Sequence, residues 1–279
     1  MATTFDVLRE AIRVRGWPLV MGIVNVTPDS FSDGGRYDEA DAAIDHALRL
    51  GRDGADILDI GGESTRPGAR PVEEAEELAR ILPVIRGVRR HTDTPISIDT
   101  MKPGVARAAI EAGATIWNDV NALQAPGALE TAADLGCGVI LMHMQGEPQT
   151  MQQNPHYDDV VSEVSEALQA RADAAMAAGV KCENIWLDPG IGFGKLLQHN
   201  LLLLRSISDL SKDFPVLIGA SRKRLIAELD EGADADHRLG GSLAIALHAA
   251  QQNAVCVRVH DVRETVQALK LQAAITRPL

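Results

Sequence analysis

The 279-residue chain is predicted to be an α/β protein, a single-domain (β/α)8 or TIM barrel spanning residues 1–279. Three observations carry that expectation. Eight short aliphatic runs recur along the whole sequence, helical stretches separate them, and no Pro/Ser-rich linker breaks the alternation. A doubly wound open sheet is the alternative, but no Gly-x-Gly-x-x-Gly follows the first run, and eight strands in this length is the barrel number.

The runs lie at 19–24, 56–60, 95–98, 115–117, 138–142, 184–187, 215–218 and 254–257. Most are continuous rather than alternating, as expected for parallel strands covered on both faces. Ala, Leu and Glu-rich stretches at 39–50, 72–90, 105–112, 157–178, 239–251 and 262–273 read as helices, with stops expected at Gly51, Gly113, Gly136 and Gly179. The long interval after the fifth run leaves room for an irregular segment, 145–156, before its helix.

Composition narrows the function classes. Apolar residues make up 46% of the chain, enough to build a large core and too many for a disordered one. A net charge of −12 repels a phosphate backbone, and 3% aromatic residues leave few stacking platforms, so no nucleic-acid partner is expected. Cys137, Cys182 and Cys256 are far apart and suit neither a disulfide framework nor a zinc knuckle. The run at 19–24 is too short to span a membrane, and Asp6, Glu10 and several Arg precede it instead of a signal pattern. The expected location is the cytoplasm, with no membrane partner.

In such a barrel, functional groups sit where strands end and in the loops that follow. Here the strand ends deliver Asn25, the loop 61–68, Asp99, Asn118 with Asp119, Asp188 with the loop to Lys195, Ser221 to Lys223, and Arg258 with His260; only the fifth, ending at Met142 and His143, is less polar. Asp29, Asp33 and Asn121 read as turn or cap residues. Asp59 suits a hydrogen-bonded structural carboxylate or a ligand contact equally. Asp99 and Asp188 end apolar strands, where an unpaired carboxylate costs several kcal/mol, so a ligand or a cation should meet them. The stretch 190–195 fails as a phosphate loop because Pro189 and Leu196 stand where Gly and Ser or Thr are needed. No Ser-His-Asp or Cys-His nucleophile arrangement and no zinc ligand cluster is apparent.

Six segments, Gly22 to Gly35, Asp59 to Gly68, Ser97 to Thr100, Asp188 to Lys195, Ser221 to Lys223 and Arg258 to His260, occur in an order that closely resembles the dihydropteroate synthases. The resemblance covers the chain after residue 18. It implies condensation of 6-hydroxymethyl-7,8-dihydropterin diphosphate with p-aminobenzoate to give 7,8-dihydropteroate and diphosphate, assisted by Mg²⁺, in a homodimer. By the same resemblance Asp188 and Lys223 frame the pterin, with Asp99 and Asn118 as further ring contacts. Arg258, His260, Thr65 and Asn25 face the diphosphate, Asn25 on the Mg²⁺ side. Asn25, Asp99, Lys223, Arg258 and His260 form the catalytic set. Thr27, Pro28, Phe31, Thr65, Arg66, Phe193 and Ser221 belong to the p-aminobenzoate pocket and its loops. The chemistry agrees with those assignments, because an amino-pyrimidinone edge presents N–H donors and a carbonyl to a carboxylate and a cation. Arg224 follows the lysine where some members have serine, which leaves open the group that meets the p-aminobenzoate carboxylate. A pterin-binding methyltransferase, with no diphosphate to expel, and a non-catalytic pterin-binding paralogue are the rival readings.

Overall fold

A computed structural model describes residues 3–27, 36–66 and 68–276. The expected Pro28 and Phe31, with Asp29 and Asp33, lie outside the described residues. The elements run α1 (Thr4–Arg15), β1 (Leu19–Asn25), α2 (Arg36–Arg52), β2 (Ile57–Gly61), α3 (Glu74–Arg89), β3 (Ile96–Asp99), α4 (Pro103–Glu111), β4 (Ile116–Asp119), α5 (Ala128–Leu135), β5 (Gly138–Met142) and α6 (Val160–Ala178). They continue with β6 (Ile185–Asp188), α7 (Leu197–Arg205), α8 (Ile207–Leu210), β7 (Leu217–Ile218), α9 (Arg224–Leu229), α10 (Leu239–Gln251), β8 (Cys256–Val259) and α11 (Val262–Thr276). All eight strands pair in parallel, in the order β6-β5-β4-β3-β2-β1-β8-β7, and a bridge between Leu187 and Val216 brings the two edges together into a nearly closed barrel.

Strand ends differ from the sequence reading in a consistent way. Asn25, Asp99, Asn118, Asp119, Asp188 and Arg258 are themselves in the ladder, although an apolar-run criterion stops before them. Gly51 does not end its helix; α2 continues to Arg52 and the chain turns at Gly54, whose φ is +105°. Gly136 and Gly179 do terminate α5 and α6 in the left-handed conformation, and Asp159 caps the start of α6 through the Val161 and Ser162 N–H groups.

The period of two along each strand sorts the core. Val20, Val24, Leu58, Ile60, Ile98, Trp117, Leu141, Leu187 and Val257 point outward and pack with the helices. Leu19, Met21, Ile57, Ile116, Ile140, Trp186, Leu217 and Cys256 fill the lower barrel interior. Helix α1 closes that end: a Thr3–Asp6 capping box starts it, and buried Phe5 stacks on Trp186 with ring centroids 3.9 Å apart. A Cβ on Gly138 would sit 2.8 Å from the Phe5 ring, so only glycine admits this plug. Arg15 fixes its far end through paired bonds of 2.8 and 2.7 Å to Asp56.

Candidate active site

Two residues beyond Ile57, Ile116, Ile140, Trp186, Leu217 and Cys256 the same parity delivers Asp59, Asn118, Met142, Asp188, Gly219 and Arg258, while Asn25, Asp99 and His260 share it higher up. The alternation that packs the lower barrel thus aims a polar layer into its mouth.

Arg258 is the hub of this layer. Its Nε donates to Asp59 Oδ2 at 2.6 Å and its Nη2 to Asp99 Oδ2 at 2.7 Å. Asn118 Nδ2 also donates to Asp59 Oδ2, at 3.3 Å. The cation expected to meet Asp99 is therefore Arg258, and Asp59 is the fully buried carboxylate that orients it. Burial pushes the Asp99 carboxyl up to about 7 against the pull of Arg258, and the Asp59 charge adds to the rise. Asp99 Oδ1 is buried and has no hydrogen-bond partner among the described residues.

Across Gly219 from Arg258, Asp188 Oδ1 accepts the Gly190 N–H at 2.7 Å, and burial raises its carboxyl above the usual range despite Lys223. Lys223 Nζ donates to the Ile191 carbonyl and lies 4.4 Å from the Phe193 ring centroid. Burial brings this ammonium down to about 8, with Asp188 opposing the fall. At Gly219, a Cβ would stand 3.6 Å from Asp188 Oδ2 and 3.8 Å from Arg258, so a side chain there would project between the two.

Ser221 Oγ accepts the His260 N–H at 3.2 Å and pairs with His260 Nδ1 at 3.1 Å, a contact that the sequence reading did not anticipate. It is not a nucleophile–base unit, since no carboxylate hydrogen-bonds the His260 ring among the described residues and Asp261 is engaged by Arg222. Burial, then Arg258 and Arg222, bring the imidazole down to about 4, so it is neutral at pH 7. Arg66 is exposed, and its charge makes a small contribution to that lowering. Thr65, Thr27 and Asn25 are half-buried.

Sequence reasoning named Lys195 only as the end of a loop and gave it no role. This buried ammonium sits 2.9 Å from His143 Nδ1 and donates to the Phe193 carbonyl at 3.0 Å, tying the loop after β6 to the end of β5. Burial lowers it to about 7. The fifth strand end therefore does deliver a polar group, and its signal was the His143 that directly follows Met142. Arg222, to which the sequence reading gave no role, is in a left-handed conformation at φ +57° and pairs with Asp261, while Arg238 holds its carbonyl at 2.9 Å. That pair sets the turn from which Lys223 extends inward.

Taken together, three carboxylates, an amide, an ammonium and a guanidinium converge at one end of the barrel. They suit a planar, hydrogen-bonding heterocycle carrying an anionic group. Among the described residues no three His, Cys, Asp or Glu side chains are grouped to hold a metal ion.

Residues 21–260 match the family described as pterin binding enzyme. The chain is 48% identical over 258 residues to dihydropteroate synthase of Escherichia coli strain K12, with 92% of this chain and 91% of that protein covered. It superimposes on the Xanthomonas albilineans dihydropteroate synthase with 4-aminobenzoic acid with a TM-score of 0.89 and 52% identity, covering 94% of each chain. On the same species' enzyme in complex with 7,8-dihydropteroate the TM-score is 0.85 at 48% identity, covering 94% of this chain and 95% of the other. A family match across the whole barrel and near-half identity over nine-tenths of the sequence agree with the polar layer at the strand ends: this chain belongs to the dihydropteroate synthase family of pterin binding enzymes.

Proposed function

We propose that this chain condenses 6-hydroxymethyl-7,8-dihydropterin diphosphate with p-aminobenzoate, releasing diphosphate and forming 7,8-dihydropteroate, and that one barrel domain spanning the chain carries the whole reaction. The observation that carries the reading is the inward layer of Asp99, Asn118, Asp188, Lys223 and Arg258, in which Asp99 Oδ1 is a buried acceptor without a partner among the described residues. A pterin N–H would satisfy it.

In this reading Asp188 and Asp99 accept from the pterin's amino-pyrimidinone edge, Asn118 bonds its ring, and Lys223 donates to its carbonyl side. The bond from the pterin methylene carbon to oxygen breaks and its electron pair leaves with diphosphate. The aniline nitrogen of p-aminobenzoate then forms the new C–N bond and gives up a proton. The electron-rich pterin supports the developing cation, so no protein nucleophile is required. Arg258 and neutral His260, with Thr65, stabilise charge on the departing group. Phe193, Ser221, Thr65, Arg66 and Thr27 would line the p-aminobenzoate side, together with Pro28 and Phe31.

The donor set also fits Mg²⁺ held through substrate. Asn25 offers one half-buried amide oxygen at the end of β1, and a magnesium ion that keeps its waters needs only one or two protein oxygens beside the diphosphate. Bound there, it would neutralise the charge on the leaving diphosphate.

A cytoplasmic homodimer completes the reading. No helix among the described residues is long and apolar enough to cross a membrane. Helix α10, rich in Leu and Ala, is largely half-exposed and packs beside α11, where Leu271 and Ile275 are exposed. Light scattering on the purified protein tests the dimer.

Titration calorimetry with pterin diphosphate, followed by p-aminobenzoate, and an assay of diphosphate release test the function. Binding of both with release supports it. Pterin binding without release points to a non-catalytic paralogue, and methyl transfer without release to the methyltransferase alternative.

A further inference from the structure

Loop 62–72, which carries Thr65 and Arg66, is tied down at both ends by a charge cluster outside the polar layer of the mouth. Glu63 Oε1 accepts the Val72 N–H at 2.9 Å, and Glu63 Oε2 accepts from Lys102 Nζ at 2.7 Å. Lys102 is the residue before α4, three positions beyond Asp99, and its N–H donates to Thr100 Oγ1 at 3.2 Å. The same ammonium donates to Glu77 Oε2 at 2.6 Å on α3. Glu77 is fully buried, and its Oε1 has no partner among the described residues. At the loop's start, the Gly62 carbonyl accepts from Arg80 Nη1 at 2.7 Å, and a Cβ on Gly62 would come within 2.8 Å of Ile81.

One lysine thus serves two buried carboxylates, and burial raises the Glu77 carboxyl. For stability alone an apolar cluster would do at least as well, because desolvation offsets the gain from buried ion pairs. What the cluster supplies is direction. The Lys102–Glu63 bond joins the loop to the turn that follows the Asp99 strand.

We propose that Lys102 is a positioning residue for the reaction: through Glu63 it holds loop 62–72 so that Thr65 and Arg66 face the p-aminobenzoate side of the mouth. The inference rests on the proposed function for its kinetic reading, and on the tether alone for its structural reading.

The test compares Lys102→Met and Glu63→Gln with wild type. Glu63→Gln keeps an acceptor for the Val72 N–H and leaves Lys102 and Glu77 as a balanced pair, so it decides the matter if Lys102→Met does not fold. Both variants should raise KM for p-aminobenzoate by about tenfold or more, as misplaced binding groups do. The dissociation constant for pterin diphosphate should stay within about a factor of two. Hydrogen exchange should accelerate in the loop around Thr65 and Arg66, less at Val72, whose N–H keeps its acceptor, and not in the strands. Lys102→Arg should recover part of the KM. An unchanged KM for p-aminobenzoate in Glu63→Gln, equal weakening of both substrates, or exchange accelerated throughout α3 and β2 would each overturn the proposal. If wild type releases no diphosphate, the functional reading fails, and the exchange arm still decides whether Lys102 holds the loop.

Discussion

Replacing Arg258 by methionine removes the one cation hydrogen-bonded to both Asp59 and Asp99, at 2.6 and 2.7 Å, and leaves two buried carboxylates facing each other. Breaking a buried pair in this way costs about 3–5 kcal/mol. The variant can reduce that cost by holding a proton. In the wild type the Asp99 carboxyl, raised to about 7, releases its proton midway between pH 6 and 8. Because the folded state binds this proton more tightly than the unfolded chain, stability falls as pH rises through that window, by about 1.4 kcal/mol in total. Without Arg258 a carboxyl keeps its proton across the whole interval, and the fall approaches about 1.4 kcal/mol per pH unit. The destabilisation by Arg258→Met should therefore be about 3 kcal/mol at pH 6 and grow by a further ~1.4 kcal/mol at pH 8. Urea unfolding at the two pH values, followed by tryptophan fluorescence, measures it. A loss under about 1 kcal/mol, or one that does not change with pH, would refute the claim that Arg258 neutralises this carboxylate pair.

Other expectations follow from the same geometry. Asp188→Asn can still accept the Gly190 N–H through its amide oxygen but turns an NH₂ toward the pterin donors, so calorimetry should show pterin binding weakened by about 2 kcal/mol, roughly thirtyfold; unchanged affinity would remove Asp188 from the site. Arg258→Met should weaken pterin diphosphate more than the unphosphorylated hydroxymethylpterin, and equal weakening would make its role purely structural. The His260 ring is brought down to about 4 in the folded protein. The unfolded chain binds that proton first, so stability is lost as pH falls from about 6.5 to 4, and the acid limb of the wild type should be steeper than that of His260→Gln by about 1–3 kcal/mol. Phe5→Ala empties the plug beneath the barrel and should cost about 3–5 kcal/mol in urea unfolding, with a changed Trp186 emission; a cost below about 1 kcal/mol would show that α1 does not close the barrel.

Much of this protein was legible without coordinates because its signals are local. A strand announces itself by its own aliphatic run, and the strict strand–helix alternation leaves few topologies. Strand ends in a barrel face one rim, so Asp99, Asn118, Asp188 and Arg258 could be placed together from sequence position alone. Where the reading fell short, the deciding contact lay far away along the chain. Arg258 is 199 residues from Asp59 and 159 from Asp99, so only barrel closure shows that it binds both, and that Asp59 is the carboxylate orienting it. Lys195 meets His143 across 52 residues, and Lys102 meets Glu63 across 39. Helix α1 carries capping and charge signals of its own, but its place beneath Trp186 depends on the space that Gly138 leaves. Periodicity and strand position are properties of a segment and survive in the sequence. The pairing of buried charges depends on which segments the closed barrel brings within about 3 Å, and only the tertiary structure decides that.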